Sequence, residues 1–170
     1  MKTLFRHSRR NRPLDIILFA LIVLGILAVL RFLPEPEPVE VSGIARVIDG
    51  DSLRVSGVEI RLLGIDAPES AQSCMRGGAS WPCGAESARK LGNRVRGRIV
   101  ACKGNERDVH DRLLAKCRVP GEEINSWLVE QGWAVSYHGY PGAERTARDA
   151  KRGIWSGTFV RPSDWREENR

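Results

Sequence analysis

No Cys-x-x-Cys spacing and no internal repeat occur in the sequence, and low complexity is confined to a single Pro/Glu stretch. The first absence sets a thiolate zinc site aside, because such sites draw on closely spaced cysteine pairs. The second sets aside a solenoid, which needs stacked copies of one unit. Strong charge asymmetry is missing too. The formal charge is +6. Residues 41–170 hold 21 Lys/Arg against 17 Asp/Glu, a mild basic bias of +4. That bias suits an anionic partner such as nucleic acid without establishing one. What is there is enough for one core: 42% of 170 residues are hydrophobic, and domains typically run roughly 100–150 residues.

The first forty residues read as an appendage to that domain. Lys2, Arg6, Arg9, Arg10 and Arg12 precede fifteen uninterrupted apolar or Gly residues, Ile16 to Leu30. With its flanks the run covers residues 14–33, and about 20 apolar residues span a bilayer core. A soluble helix would show a polar face, which this run lacks. A cleaved signal peptide shares the basic start, but "LAVLRFLPEP" offers no small-x-small cleavage pattern. The expectation is therefore a retained transmembrane anchor, with residues 1–13 as a basic cytoplasmic N-terminus and the remainder exported. Residues 34–40, with alternating Pro and Glu, form an extended, semi-rigid linker.

Residues 41–160 make up the domain and 161–170 a polar C-terminal tail. "VSGIARVIDG", "DSLRVSG" and "VEIRLLGI" read as short strands separated by turn signals at Asp49-Gly50 and Ser56-Gly57. Ala71 to Cys83 is rich in Gly, Ser, Cys and Pro and reads as a loop. "GAESARKLGNRVRG" places Ala85, Ala88, Leu91 and Val95 near one helical face. "RIVACKG" and "RLLAKCRV" form a hairpin. Ile124, Trp127 and Leu128 mark an amphipathic helix closed by Gly132, and Ala143, Ala147 and Ala150 line a last one closed by Gly153. Strands dominate, so the class is α+β, mainly β. The order predicts a five-stranded OB-type antiparallel barrel with about three packed helices.

Three charged patches interrupt this plan: "IDGDSL", "RLLGIDAPE" and "DVHDRLLAKC". Charges beside apolar strands are costly to bury unless they are paired or bind an ion. Asp51 and Asp66 supply hard oxygen donors of the kind calcium takes in a shell of six to eight. Glu69 stands where it could deprotonate a water near such an ion. Arg61 and Arg112 carry planar donor forks suited to phosphate oxygens. Each residue alone reads as an ordinary strand-end charge, worth under about 1 kcal/mol as a surface pair. Together they are the parts needed to cleave a phosphodiester.

In order and spacing these patches resemble the thermonuclease (staphylococcal-nuclease-like) family, with its motifs D-G-D-[TS], R-L-x-x-[IV]-D-[AT]-P-E and D-x-x-x-R. The resemblance covers roughly Val41 to Ser156 and includes "EQGWAVSY" and "AKRGIWS". It implies hydrolysis of DNA and RNA dependent on one calcium ion. It also implies that Asp51 and Asp66 are the calcium carboxylates, with Ala67 ligating through its backbone carbonyl, and that Asp49 supports them from behind. Glu69 matches the general base, and Arg61 and Arg112 match the arginines that hold the scissile phosphate. Tyr137 matches a tyrosine beside the nucleotide. Where the family often carries Lys-Tyr-Gly before the second arginine, this chain has Val109, His110 and Asp111. His110 is then the substrate-binding residue left there, and Asp111 adds negative charge beside Arg112.

Four cysteines in an exported domain suggest disulfides, although four allow three pairings. The hairpin chooses among them. A turn centred between Val109 and His110, inside the non-apolar "NERDVHD", sets Cys102 opposite Cys117. Facing Cβ atoms in such a pair lie about 4.5–5.5 Å apart, near the separation of a disulfide. Cys74 and Cys83 are then left to pair within the loop after Glu69.

The leading expectation is a membrane-anchored, exported nuclease with a monomeric catalytic domain, acting on DNA, RNA or both, since backbone chemistry needs no base readout. Its rival is a non-catalytic nucleic-acid-binding OB-barrel, which would have no need of Glu69 or of paired carboxylates near phosphate. A weaker third reading is a cell-envelope scaffold. Nothing in the sequence specifies a protein partner.

Overall fold

The computed structural model describes residues 12–32 and 37–169, and it divides into two units on either side of Pro36–Glu37. Most of the basic N-terminus and residues 33–36 of the expected anchor and linker lie outside the described residues.

In the first unit, α1 (Arg12–Arg31) is a continuous helix whose apolar side chains, among them Phe19 and Leu24, are exposed. By length and composition its stretch Leu14–Arg31, with a mean hydropathy of 2.6, can cross a membrane.

The second unit is built on a curled sheet. β1 (Val39–Val47) pairs antiparallel with β2 (Ser52–Val55), which pairs with β3 (Val58–Leu62). On its other side β1 pairs with β7 (Ile99–Arg107), which pairs with β8 (Leu113–Val119). β3 and β8 then meet in parallel, Arg61 beside Leu114 and Leu62 beside Ala115, and close a five-stranded OB-type barrel. Period-2 alternation supplies the interior: Leu113, Ala115, Cys117 and Val119 of β8 are all buried, as are Leu53 and Val55 of β2. Asn125 seals the seam. Its side chain donates to the carbonyls of Leu63 and Ala115 and accepts from the Cys117 N–H, so this fully buried amide is satisfied.

Helices α2 (Cys83–Val95), α3 (Ile124–Glu130) and α4 (Pro141–Asp149) cover the barrel, close to the expected spans. Their buried faces differ from the expected stripes. In α2, Ala85 is exposed and the buried line runs through Ser87, Leu91 and Val95, because Ser87 donates a hydrogen bond to the Trp133 carbonyl. In α4, Ala147 is buried but Ala150 is exposed, and Glu144 turns inward to accept the Ser136 N–H at 2.6 Å.

Three further features depart from the reading of the sequence. The segment expected as a loop over residues 71–83 contains a small hairpin, β5 (Cys74–Arg76) with β6 (Ala79–Trp81). The β7–β8 ladder shifts register between Lys103 and Glu106. The expected polar tail folds as a fourth helix of this unit, α5 (Pro162–Glu168). Both disulfides are present, Cys74–Cys83 and Cys102–Cys117, and no free cysteine occurs among the described residues. The second joins residues directly opposite in the ladder, with Cα atoms 4.1 Å apart.

Candidate active site

Asp49, Gly50 and Asp51 form the tight link between β1 and β2. Asp49 Oδ1 accepts the Asp51 N–H at 3.0 Å, an Asx turn that fixes the direction of Asp51. Gly50 is required by space: a Cβ there would lie 2.7 Å from both Ala67 Cβ and Ser87 Oγ. Asp51 is thereby driven inward and is only 4% exposed. Its Oδ1 accepts from Ser52 Oγ at 3.1 Å and its Oδ2 from the Ala67 N–H at 3.1 Å. Ala67 is tied to Asp51 through that N–H.

The second carboxylate comes from the opposite side of the same opening. Asp66 ends β4 (Ile65–Asp66), which pairs with β10 (Val135–Ser136), and is 3% exposed. Arg61 at the end of β3 reaches between the two aspartates. Its Nη2 stands 3.1 Å from Asp51 Oδ2 and 3.0 Å from Asp66 Oδ1. Two buried carboxylates thus converge on a single nitrogen. The electrostatics are unbalanced. Burial above all, with Asp49 and Asp66 adding to it, raises the Asp51 carboxyl to about 7 against the lowering pull of Arg61 and the Ala67 N–H.

Glu69 follows on the turn after Pro68. The fully buried Gln72 holds its backbone: Gln72 Oε1 accepts the Glu69 N–H at 3.1 Å and the Gln72 N–H donates to the Glu69 carbonyl at 2.7 Å. Gly84 at the start of α2 packs against that same carbonyl, so closely that a Cβ would collide with it. The Cys74–Cys83 ring closes behind this turn.

Arg112 enters from the β7–β8 turn. Its Nη1 donates to Ser52 Oγ at 3.3 Å, next to Asp51, while its Nε donates to Asp108 Oδ2 at 2.7 Å. His110 is exposed at the rim. Asp51, Arg61, Glu69, His110 and Arg112 all line one cleft of about 370 Å³. Tyr137 does not line it. The Tyr137 N–H donates to the Gly64 carbonyl, and the side chain is 59% exposed, in edge contact with His138. A roomier concavity of about 640 Å³ lies over Cys102 and Cys117, but its carboxylates, Glu40 and Glu123, are not buried.

Two residues of the site escaped the reading of the sequence, and a third was read only as a letter of a motif. Asp108 is the Asp of D-x-x-x-R, and the motif alone does not show that it grips Arg112. Gln72 sits in a loop and Arg166 in the tail, where no periodicity marks them. Arg166 Nη1 donates to Asp66 Oδ1 at 2.9 Å and to Glu69 Oε1 at 2.8 Å, and its Nη2 donates to Asp66 Oδ2 at 3.1 Å. Chemically, the cleft offers hard oxygen donors converging on one point, a partly exposed carboxylate and forked cations. That combination suits an anion whose charge rises during reaction.

The comparisons agree with this arrangement. The family model described as Staphylococcal nuclease homologue matches residues 59–157. An uncharacterized endonuclease of Escherichia coli O157:H7 is 34% identical over 135 residues, covering 72% of this chain and 82% of that protein. The succinoglycan biosynthesis protein ExoI of Rhizobium meliloti (strain 1021) is 37% identical over 121 residues; the match covers 66% of this chain and spans 63% of that relative's length. A micrococcal nuclease of Shigella flexneri is 28% identical over 149 residues, 75% of this chain and 80% of its own. With its barrel, its cleft and these matches, the chain belongs to the staphylococcal nuclease homologue family.

Proposed function

We propose that this chain is a calcium-dependent phosphodiesterase that hydrolyses the backbone of DNA, RNA or both outside the cytoplasmic membrane, to which α1 anchors it. The observation that carries the reading is that Asp51, Glu69, Arg61 and Arg112 line one cleft, with Asp66 buried just behind it and joined to it through Arg61. A module that only binds nucleic acid gains nothing from carboxylates placed beside phosphate.

The donor set fits a calcium ion. Asp51 and Asp66 are two buried carboxylates aimed at one point, both within 3.1 Å of Arg61 Nη2. Among the described residues no group of three or more His, Cys, Asp or Glu could hold an ion by side chains alone. A hard cation is content with this, since calcium draws on carbonyls, water and substrate oxygens to complete its shell. Asp51 and Asp66 would hold it, with the Ala67 carbonyl as a third protein donor, and bound there it would supply Lewis-acid polarisation of a phosphate oxygen.

The chain's own residues do the rest. Arg61 and Arg112 present guanidinium forks to the non-bridging oxygens of the scissile phosphate and oppose the charge that builds on them. Glu69 takes a proton from the attacking water; its Oε2 has no hydrogen-bond partner among the described residues, whereas Oε1 is held by Arg166. His110 at the rim and the exposed Tyr137 are the candidates for contact with flanking nucleotide. The disulfides favour an oxidising compartment for the domain, and the basic residues ahead of α1 favour a cytoplasmic N-terminus.

The test is direct. The full chain in detergent is incubated with duplex DNA, single-stranded DNA and RNA, with calcium, with magnesium or with chelator. Cleavage that requires calcium is the expected result. Binding without cleavage under every metal condition would put the binding-module reading ahead.

A further inference from the structure

α5 begins after residue 157, where the family match ends, yet it delivers a guanidinium to the centre of the cleft. We propose that Arg166 is the resident counter-cation of the metal site: it occupies Asp66 and Glu69 in the metal-free protein and is displaced when a divalent cation binds. This rests on reading Asp51 and Asp66 as the metal carboxylates.

The argument is one of occupancy. An ionised carboxylate offers about four lone-pair positions. Asp66 commits three of them, one to Arg61 and two to Arg166. Its Oδ2 is bound by Arg166 Nη2 at 3.1 Å, and Oδ1 is shared by both arginines. The one position left, on Oδ2, lies beside Arg166 Nη2, so a hard cation seated there meets the like charge of that guanidinium and drives it off. Arg61 is the poor candidate, since it sits on a paired barrel strand and is fixed by both Asp51 and Asp66. Arg166 is the good one. It projects from a seven-residue terminal helix, its side chain is 38% exposed, and both its partners belong to the site itself. Charge points the same way. Arg112 is already paired with Asp108, so among the described residues Asp51, Asp66 and Glu69 are paired with Arg61 and Arg166 alone. A divalent ion supplies more charge than the group it would replace.

A tether keeps the displaced group close. Gln72 Nε2 donates to the Val160 carbonyl at 2.7 Å, just before α5, while Gln72 Oε1 holds the Glu69 N–H. The segment leading into α5 is thus fastened to the turn that carries Glu69, and Arg166 stays within reach when it lets go. These contacts also limit what Arg166 can be: a side chain committed to two carboxylates is not a free phosphate-binding cation in the metal-free state.

The experiment measures calcium binding by titration calorimetry on the full chain in detergent, comparing the parent with Arg166→Gln, Arg166→Lys and Asp66→Asn, with melting temperatures taken with and without calcium. Removing a charge-assisted, partly exposed competitor should tighten calcium binding by roughly three- to tenfold in Arg166→Gln. Arg166→Lys, which keeps charge but loses the fork, should fall between. The rise in melting temperature on adding calcium should be larger in Arg166→Gln than in the parent, which a merely structural role for α5 would not produce. Unchanged or weaker calcium binding in a folded Arg166→Gln would overturn the proposal while leaving the metal site intact. No calcium binding by the parent, or equal binding by Asp66→Asn, would instead remove the metal reading and the proposal with it.

Discussion

Asp108 holds Arg112 from two directions: its Oδ1 accepts the Arg112 N–H at 3.0 Å, and its Oδ2 accepts the Arg112 Nε at 2.7 Å. The same Oδ1 takes the His110 N–H at 2.9 Å, so one carboxylate shapes the turn and aims the guanidinium it presents. Burial works to raise the Asp108 carboxyl, but the hydrogen bonds from the Arg112 side chain, the Arg112 N–H and the His110 N–H outweigh it and hold it below the usual range. Asp108→Asn keeps an acceptor for the turn and gives up the charged pair. Turnover should fall by about tenfold, the order expected from a positioning contact near a reacting phosphate, while the thermal midpoint moves little. Steady-state kinetics with a fluorogenic oligonucleotide, beside a melting curve, checks this.

Glu69→Gln should lower turnover by at least about 10²-fold, the scale of a lost general base. Arg61→Lys and Arg112→Lys should also impair catalysis, because a single ammonium cannot replace a fork. If all three variants kept parental turnover at saturating substrate and lost only affinity, the cleft would be a binding surface.

The raised Asp51 carboxyl sets a pH dependence with a definite sign. Its ordinary value is 3.8 and its folded value about 7, so its contribution to stability is fully present below 3.8 and is lost as pH rises through about 7. The metal-free protein should therefore melt at a higher temperature at pH 5 than at pH 8, by about 5 °C or more if the whole effect is expressed. Added calcium should erase or reverse the difference, and Asp51→Asn should flatten it. Calorimetric melts across that range, with chelator and with calcium, give the answer.

Gly84→Ala is expected to be damaging out of proportion to one methyl group. The new Cβ would meet the Glu69 carbonyl, so either α2 or the Glu69 turn must shift. Overpacking of this kind costs about 1–3 kcal/mol. Denaturant titration should show that loss, and nuclease activity should drop further than stability alone explains.

Protease added to spheroplasts should digest the globular unit and leave a membrane-bound stub ending near residue 35. Non-reducing peptide mapping of the same material should recover 74–83 and 102–117 links. Full protection in intact spheroplasts together with free thiols would place the domain in the cytoplasm.

The parts of the site that could be read in the sequence share one property: each signal was local. Asp51, Arg61, Asp66 and Glu69 stand in two short motifs whose spacing carries the chemistry. Cys102 and Cys117 do face each other, although the ladder shifts by one between Lys103 and Glu106, an irregularity that the position of the turn does not reveal. What escaped depended on distant partners or weak periodicity. β5 and β6 have three residues each and mostly exposed side chains, too few for alternation to show. The α2 stripe moved from Ala85 to Ser87 because of an acceptor 46 residues away. Arg166 meets Glu69 across 97 residues, and "PSDWREE" in isolation is an unremarkable polar segment.

The parallel seam between β3 and β8 bears on how such a chain is made. Arg61 and Arg112 are 51 positions apart, and the pairing of Ile60 to Leu62 with Leu113 to Ala115 is what closes the barrel between their strands. Parallel pairings with long intervening loops form late. A polypeptide still unclosed has its acids and arginines scattered along a thread. The cleft is thus a property of the closed barrel, which a partly folded chain does not possess.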